Sequence, residues 1–375
     1  MITISLCMIV RNEEKSLDRC LACVRGIADE IIIVDTGSTD RTKEIAASYG
    51  AKIYDFEWID DFGAARNYSF SKATSEYILW LDADDTIEEK DRKLFKELKA
   101  TLSPEYQSVS MPYNLAFNSE GKVTSSLRRN RLVRRDCQFQ WVGPVHEYLA
   151  AGGRTLASDV CITHKKDKEY TDRNLRIYRA REQRGEEFSP RDLYYFANEL
   201  REHALYQESA NYYRRFLDTE QGWVEDNFQA CLKLAICYER LEMPKERLAA
   251  LCETLRYDIP RSEYCCQMGY YFLSNNEYWP AIYWFKTATE LPKREGNMGL
   301  QDMTSTNWVP HLQLCLCYDR LGHFSKANYH NEVALLHYPT HPSMQYNRSY
   351  YKKKLGEAFV ALSEDLPSAD EEKKV

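Results

Sequence analysis

The sequence predicts an α/β domain with a Rossmann-like mixed sheet, followed by an all-α domain of tetratricopeptide-like helical repeats. Short apolar runs alternate with helical patterns in the first half, and strand signals are absent after about residue 191. Helix pairs in the second half recur with a period near 34 residues. We therefore place the α/β domain at residues 1–185, the repeats at 186–362 and a charged tail at 363–375.

The first half reads as strands separated by helices. Strands are predicted at residues 4–10, 30–35, 51–55 and 77–81, and helices at 13–26, 38–49 and 64–73. Ser38 or Thr39 is expected to cap the second helix, and Gly50 to end it. Ligands of such sheets bind beyond the carboxyl ends of the strands, and two of these strands end in aspartates.

The second half repeats one pattern, in which a helix follows a short turn near each of four equivalent positions. These positions are Ala210, Arg247, Ala281 and Ala327. Paired helices at this spacing are the tetratricopeptide signature, although the consensus Trp and Gly are mostly absent. Stacked pairs share a core and leave a concave face free, so this half is expected to bind a polypeptide or glycan, or to form a homodimer.

Composition excludes some classes of protein. The net charge of −7 lacks the basic excess of a nucleic-acid-binding protein. The 12 cysteines are spread along the chain, as expected of buried thiols in a reducing compartment. No apolar stretch reaches the ~18 residues of a membrane span, and the chain opens directly on a strand-like run. We therefore expect a soluble, cytoplasmic protein.

The strongest chemical signal is the segment YILWLDADD, which ends in Asp82, Asp84 and Asp85. A buried strand here delivers carboxylates to its open end, and divalent cations such as Mg²⁺ prefer oxygen ligands. Alternate residues of a strand point the same way, so Asp82 and Asp84 could share one site. The alternative is an acidic turn in which Asp85 caps the next helix.

A second signal is the segment IIIVDTGSTD around Asp35. A carboxylate at the end of a buried strand can accept from a nucleoside, and Gly37 lets the backbone approach closely. The alternative is a tight strand-to-helix turn with Asp40 near the start of the helix.

Taken together, four motifs resemble the family-two glycosyltransferases of GT-A fold. They are SLCMIVRNEE (5–14), IVDTGSTD (33–40), DFGAARN (61–67) and LDADD (81–85). The order and spacing match through residue 85 and continue more thinly to about residue 180. With its tetratricopeptide-like half, the chain resembles a bacterial subgroup of protein and peptide glycosyltransferases, including those that glucosylate bacteriocin cysteines.

The resemblance implies roles for residues of the donor site. Val10 and Arg11 would flank the uracil ring, and Asp35 would bind the nucleoside. Many relatives have a second acid after Asp35, where this chain has Thr36. Arg66 would lie near the diphosphate or the sugar.

The resemblance also implies metal ligands and a base. Asp82 would contact the ribose or sugar, and Asp84 would bind Mn²⁺ or Mg²⁺. A later histidine, His164, would complete the metal shell. Within the segment WVGPVHEY, Glu147 is the expected base for an inverting transfer, with His146 as the alternative.

The sequence therefore predicts a metal-dependent inverting hexosyltransferase. Its donor would be UDP-glucose or UDP-N-acetylglucosamine, and its acceptor a polypeptide or surface glycan held partly by the repeats. One rival is a helical-repeat scaffold with a vestigial transferase domain, which would be expected to have lost the carboxylates retained here. Another is nucleotidyl transfer, which would be expected to show a glycine-rich phosphate loop after the first strand. The segment Cys7–Glu13 contains no glycine.

Overall fold

The chain divides into two compact units in the computed structural model, which describes residues 1–166, 171–292 and 298–362. The first unit contains the described residues of 1–116, 126–195 and 297–300. The second contains those of 117–125, 196–296 and 301–375. The predicted tail, 363–375, lies outside the described residues.

The first unit is built on a mixed sheet with helices on both faces. Its strands are β1 (Ile4–Val10), β2 (Glu30–Asp35), β3 (Lys52–Asp55), β4 (Tyr77–Trp80), β5 (Asp85–Thr86), β6 (Ser108–Phe117), β7 (Val123–Arg134), β8 (Trp141–Val142), β9 (Tyr148–Leu149), β10 (Thr155–Ala157) and β11 (Ile162–His164). Its helices are α1 (Leu17–Cys23), α2 (Thr42–Ser48), α3 (Phe62–Ser71), α4 (Glu89–Thr101), α5 (Arg173–Gln183) and the start of α6 (Pro190–Glu202).

The strand order places the motifs side by side. The main path of the sheet runs β3-β2-β1-β4-β7-β6-β11-β5. The first four strands are mutually parallel, whereas β7 is antiparallel to β4 and β5 is antiparallel to β11. The carboxyl ends of β1, β2 and β4 therefore meet at one edge. This mixed sheet confirms the predicted fold class of the first domain.

Side-chain alternation along β1 fixes the two layers of the core. Ile4, Leu6 and Met8 pack with buried residues of α1 and α4. Cys7 points to the opposite face, where Ala73, at the C-terminal end of α3, also packs. Because both faces are covered, β1 and β2 are almost continuously apolar, as the sequence indicated.

Local details of the second helix differ from the prediction. Helix α2 begins at Thr42, so the prediction that Ser38 or Thr39 caps it was wrong. Those two residues instead bind Asn12: the Asn12 amide donates to Ser38 Oγ at 2.9 Å, and Asn12 Oδ1 accepts from the Thr39 amide at 2.8 Å. Gly50 does follow the end of the helix, with a φ of 71°.

The second unit is a succession of antiparallel helix pairs. It contains the end of α6, then α7 (Tyr206–Asp218), α8 (Val224–Arg240), α9 (Pro244–Glu253), α10 (Ser262–Ser274), α11 (Tyr278–Glu290), α12 (Trp308–Arg320), α13 (Phe324–His337) and α14 (Pro342–Leu355). It also contains a two-residue strand, β12 (Gln301–Asp302).

The same turn joins the two helices of each pair. In each turn, one backbone amide donates a hydrogen bond to the carbonyl of the residue five positions earlier. The residues that supply these amides are Leu205, Met243, Glu277 and His323. A left-handed residue precedes each of these positions: Ala204, Glu242, Asn276 and Gly322. This recurrence confirms the predicted repeats, and it shows that three of the four turns form without the consensus glycine.

None of the helices in the described part of the chain combines the length and the hydropathy that a membrane span requires.

Candidate active site

Asp35 ends β2 with its carboxylate held in a tight turn. Its Oδ1 accepts from the amides of Gly37 at 3.0 Å and Ser38 at 2.9 Å, and Gly37 has a φ of 103° that suits glycine. The side chain is 1% exposed, and Oδ2 is buried with no hydrogen-bond partner among the described residues. An unpaired oxygen of this kind is unusual, since buried polar atoms are normally paired.

The neighbouring residues of β1 contribute mainly backbone. Val10 lies opposite Asp35 in the parallel register, and its carbonyl accepts from the amide and the hydroxyl of Thr36. The Thr36 hydroxyl, at 3.2 Å from that carbonyl, thus takes the place where many relatives have a second acid. Arg11 follows as an exposed residue.

Asp84, Asp85 and His164 form a candidate cation site. One potential ligand atom from each lies within 4.8 Å of the others. His164 Nδ1 is 3.4 Å from Asp84 Oδ1 and 3.8 Å from Asp85 Oδ1. Asp85 Oδ1 and His164 Nδ1 are buried and lack hydrogen-bond partners among the described residues. Two carboxylates and an imidazole are a set of ligands that suits Mn²⁺. The two buried atoms without hydrogen-bond partners are consistent with an ion bound between them.

The electrostatics of this cluster favour a positive charge. Asp84 and then Asp85 raise the pKa of His164 to about 10. A proton on the imidazole or a divalent cation would each satisfy the two carboxylates, so metal binding would compete with that proton.

Asp85 does not cap a helix, and that alternative was wrong. It lies in β5, where it pairs with His164 in the antiparallel register, and α4 begins only at Glu89. Its Oδ2 is 3.0 Å from Arg131 Nη1, and both side chains are fully buried. The same oxygen accepts from the Asp82 amide at 3.0 Å, so Asp85 fixes the backbone that carries the Asp-x-Asp motif.

Arg66 connects two carboxylates at the edge of the sheet. Its Nη2 donates to Asp82 Oδ1 and its Nε to Glu147 Oε1, both at 2.6 Å. The guanidinium lies 5.1 Å from the ring centre of Trp80 and 4.7 Å from that of Trp141. Burial would raise the pKa of Asp82, but Arg66, helped by other arginines, holds it below its usual range. Asp82 therefore carries a fixed negative charge.

Helix α3 also fixes the short hairpin that carries Glu147. The Asn67 side chain donates to the Trp141 carbonyl at 2.9 Å and accepts from the Trp141 amide at 2.8 Å. The Phe62 amide donates to the Pro144 carbonyl at 2.8 Å. Sequence reasoning placed Arg66 near the donor but missed both Asn67 and the pairing of Arg66 with Glu147.

A substitution at Gly63 would test the contact between α3 and the hairpin. A Cβ at Gly63 would lie 2.6 Å from the Gly143 carbonyl oxygen, a backbone atom of the same hairpin. We expect Gly63→Ala to lower the free energy of unfolding by about 1–3 kcal/mol, measured by urea denaturation, because the hairpin must move. Gly152→Ala is the matched control, since nothing lies within 4 Å there. Equal stability of the two variants would contradict the contact.

His146 packs against helix α6. Its ring stacks on Tyr195 with ring centres 4.4 Å apart, and its carbonyl accepts from Arg191 Nε at 3.0 Å. Its φ of 50° is in the left-handed region. Glu147, one residue later, contacts Arg66 and is 11% exposed. The structure thus brings Glu147 to the arginine that binds Asp82.

Sequence comparison relates this unit to one family of enzymes. Residues 5–147 match the family model described as glycosyl transferase family 2, so this segment is a family 2 glycosyltransferase domain. A TPR repeat-containing protein of Synechococcus elongatus is 42% identical over 155 residues, which cover 40% of this chain and 36% of the relative.

A second relative extends into the helical half. The SPbeta prophage-derived glycosyltransferase SunS of Bacillus subtilis is 26% identical over 285 residues, covering 72% of this chain and 65% of that protein. The matched part thus spans less than two thirds of either relative. A solved glucosyl-3-phosphoglycerate synthase of Mycobacterium tuberculosis, in complex with Mn²⁺, UDP and product, has a TM-score of 0.34 and 13% identity over 50% of this chain and 82% of its own.

Proposed function

We propose that the chain is a metal-dependent inverting glycosyltransferase. It would move a hexose, glucose or N-acetylglucosamine, from a UDP-sugar to a polypeptide or surface-glycan acceptor. One observation carries the proposal: the same edge of the sheet in a family 2 domain holds a cation site (Asp84, Asp85 and His164) and a network of carboxylates. In that network Arg66 links Asp82 to Glu147.

The donor would lie across the ends of β1, β2 and β4. Asp35 Oδ2 would accept from the nucleoside, with Val10 and Arg11 beside the base. Asp82, negatively charged and held by Arg66, would accept from hydroxyl groups of the ribose or the sugar. Mn²⁺ or Mg²⁺, held by Asp84, Asp85 and His164, would supply positive charge for the departing diphosphate.

The acceptor proton would pass to Glu147. Arg66 fixes its Oε1, which leaves Oε2 to take the proton as the acceptor attacks the anomeric carbon. The rigid link through Arg66 sets the distance between this base and Asp82, and such preorganisation is what a displacement reaction requires.

The helical repeats would hold the acceptor. Among the aromatic residues of this half, Tyr212 and Tyr213 are buried in the core, whereas Trp223, Trp279 and Tyr283 are at least half exposed. Exposed aromatic rings give a binding surface large contact area at low entropic cost. A homodimer formed through the same repeats is the alternative use of this surface.

A donor screen tests the function. We expect slow hydrolysis of UDP-glucose or UDP-N-acetylglucosamine in Mn²⁺ and none in EDTA, measured by released UDP. The preferred radiolabelled donor should then label an acceptor in a lysate. If no nucleotide sugar is bound or hydrolysed with any divalent metal, the transferase function is wrong and a scaffold role remains.

A further inference from the structure

Five arginines follow one another closely along β7 and its end, and four of them form hydrogen bonds or ion pairs within the protein, including Arg135, whose Nε donates to the Ser75 carbonyl. Arg128 donates to the carbonyls of Ser110 and Ser158, and Arg134 pairs with Asp136. Arg131 is buried against Asp85. The fifth, Arg129, has no hydrogen bond and no ion pair within the described ranges of the chain.

Arg129 is held by aromatic faces. Its guanidinium lies 5.4 Å from the ring centre of Tyr113 and 5.9 Å from that of Trp80. Cation–π contacts position a guanidinium without occupying its N–H groups, because the ring face attracts the charge and not the hydrogen-bond donors. Arg129 is therefore oriented and still able to donate.

The position of Arg129 places it at the candidate active site. Residues two apart on a strand point the same way, so Arg129 shares the side of β7 that carries Arg131. The antiparallel register pairs Leu132 with Leu79, and continuing it would bring Arg129 level with Asp82. Tyr113, which Arg129 covers, also contacts the ring of His164.

The neighbouring arginines each have a carboxylate within ion-pair distance. Arg66 is neutralised by Asp82 and Glu147, and Arg131 by Asp85. The half-buried Arg129 acts on Asp82 through space, without an ion pair among the described residues, and a guanidinium matches phosphate oxygens in a bidentate manner.

We propose that Arg129 binds the diphosphate of the nucleoside-diphosphate-sugar donor. This inference rests on the proposed function. The donor diphosphate would then be contacted by Arg129 on β7 as well as by the cation site at β5 and β11. The departing nucleoside diphosphate would thus meet a positive charge that belongs to the protein itself.

The test measures binding rather than turnover. The full-length chain is titrated by calorimetry in Mn²⁺ with UDP, GDP, ADP and dTDP, and the diphosphate that binds is compared with its parent nucleoside. We expect Arg129→Ala to weaken diphosphate binding by roughly 10- to 100-fold, as for loss of a charge-assisted hydrogen bond, and to leave the nucleoside unchanged. Arg129→Lys should be intermediate, because it keeps the charge but loses the bidentate geometry.

Arg134→Ala is the matched control, since it removes an arginine of the same strand that already pairs with Asp136. It should bind the diphosphate as the parent does, and the thermal midpoints of all variants should agree within a few degrees. Diphosphate affinity unchanged in Arg129→Ala, or a loss equal for nucleoside and diphosphate, would overturn the assignment. If the parent chain binds none of the four diphosphates, the proposed function itself fails.

Discussion

Asp84→Asn should abolish metal-dependent transfer, with a loss of roughly 10³-fold or more. A bound divalent ion contributes several kcal/mol of charge stabilisation, and each 1.36 kcal/mol is tenfold in rate. The amide keeps the size of the side chain but removes one of the two carboxylates near His164. UDP affinity in Mn²⁺ should fall as well, because the ion would link the diphosphate to the protein.

The control for this variant is Glu89→Gln, which removes an acid that pairs with Arg92 on helix α4. It should retain full activity. The thermal midpoint of Asp84→Asn should stay close to that of the parent, because Asp84 is partly exposed and, among the described residues, lies at ion-pair distance only from His164. Direct titration of Mn²⁺ by electron paramagnetic resonance should show one site in the parent and none in Asp84→Asn. Full activity in EDTA would contradict the metal site.

Glu147→Gln should lower turnover by about 10²- to 10⁴-fold, the usual range for removing a positioned base. The Gln carbonyl can still accept from Arg66 Nε, so the link to Asp82 should survive and donor affinity should change little. The measurement is steady-state transfer to an alcohol acceptor. A thiol acceptor is a weaker test, because a thiol with a pKa near 8.5 is partly ionised without a base.

His146→Phe is the control for the base. The aromatic ring can keep the stack on Tyr195 but cannot take a proton. We expect turnover within about threefold of the parent, since the ring of His146 is engaged by Tyr195 and Glu147 is the proposed base. A drop of less than fivefold in Glu147→Gln together with a large loss in His146→Phe would exchange the roles of the two residues.

The sequence alone determined the architecture and the location of the chemistry. Apolar runs four to seven residues long, separated by helical patterns, predict parallel strands. Strands and helices differ in the spacing of their apolar residues, and that spacing can be read from short stretches of sequence. Asp35 and Asp82 follow such runs, and parallel strands must bring their carboxyl ends to one edge. The resemblance added His164, which the structure places beside Asp84.

Only the tertiary structure decided which side chains pair. Asp85 could have capped a helix, but the register of β5 with β11 turns it towards His164 and Arg131. Arg66 and Glu147 are 81 residues apart in sequence, and their contact depends on how α3 packs against one hairpin. Likewise, strand alternation separates Arg129 from Arg128 but not from Arg131, and only the structure shows that Arg131 pairs with Asp85. The spacing of apolar residues indicates which face of a strand or helix a residue occupies. Which residue of another strand or helix it contacts depends on strand register and on packing, and a short stretch of sequence specifies neither.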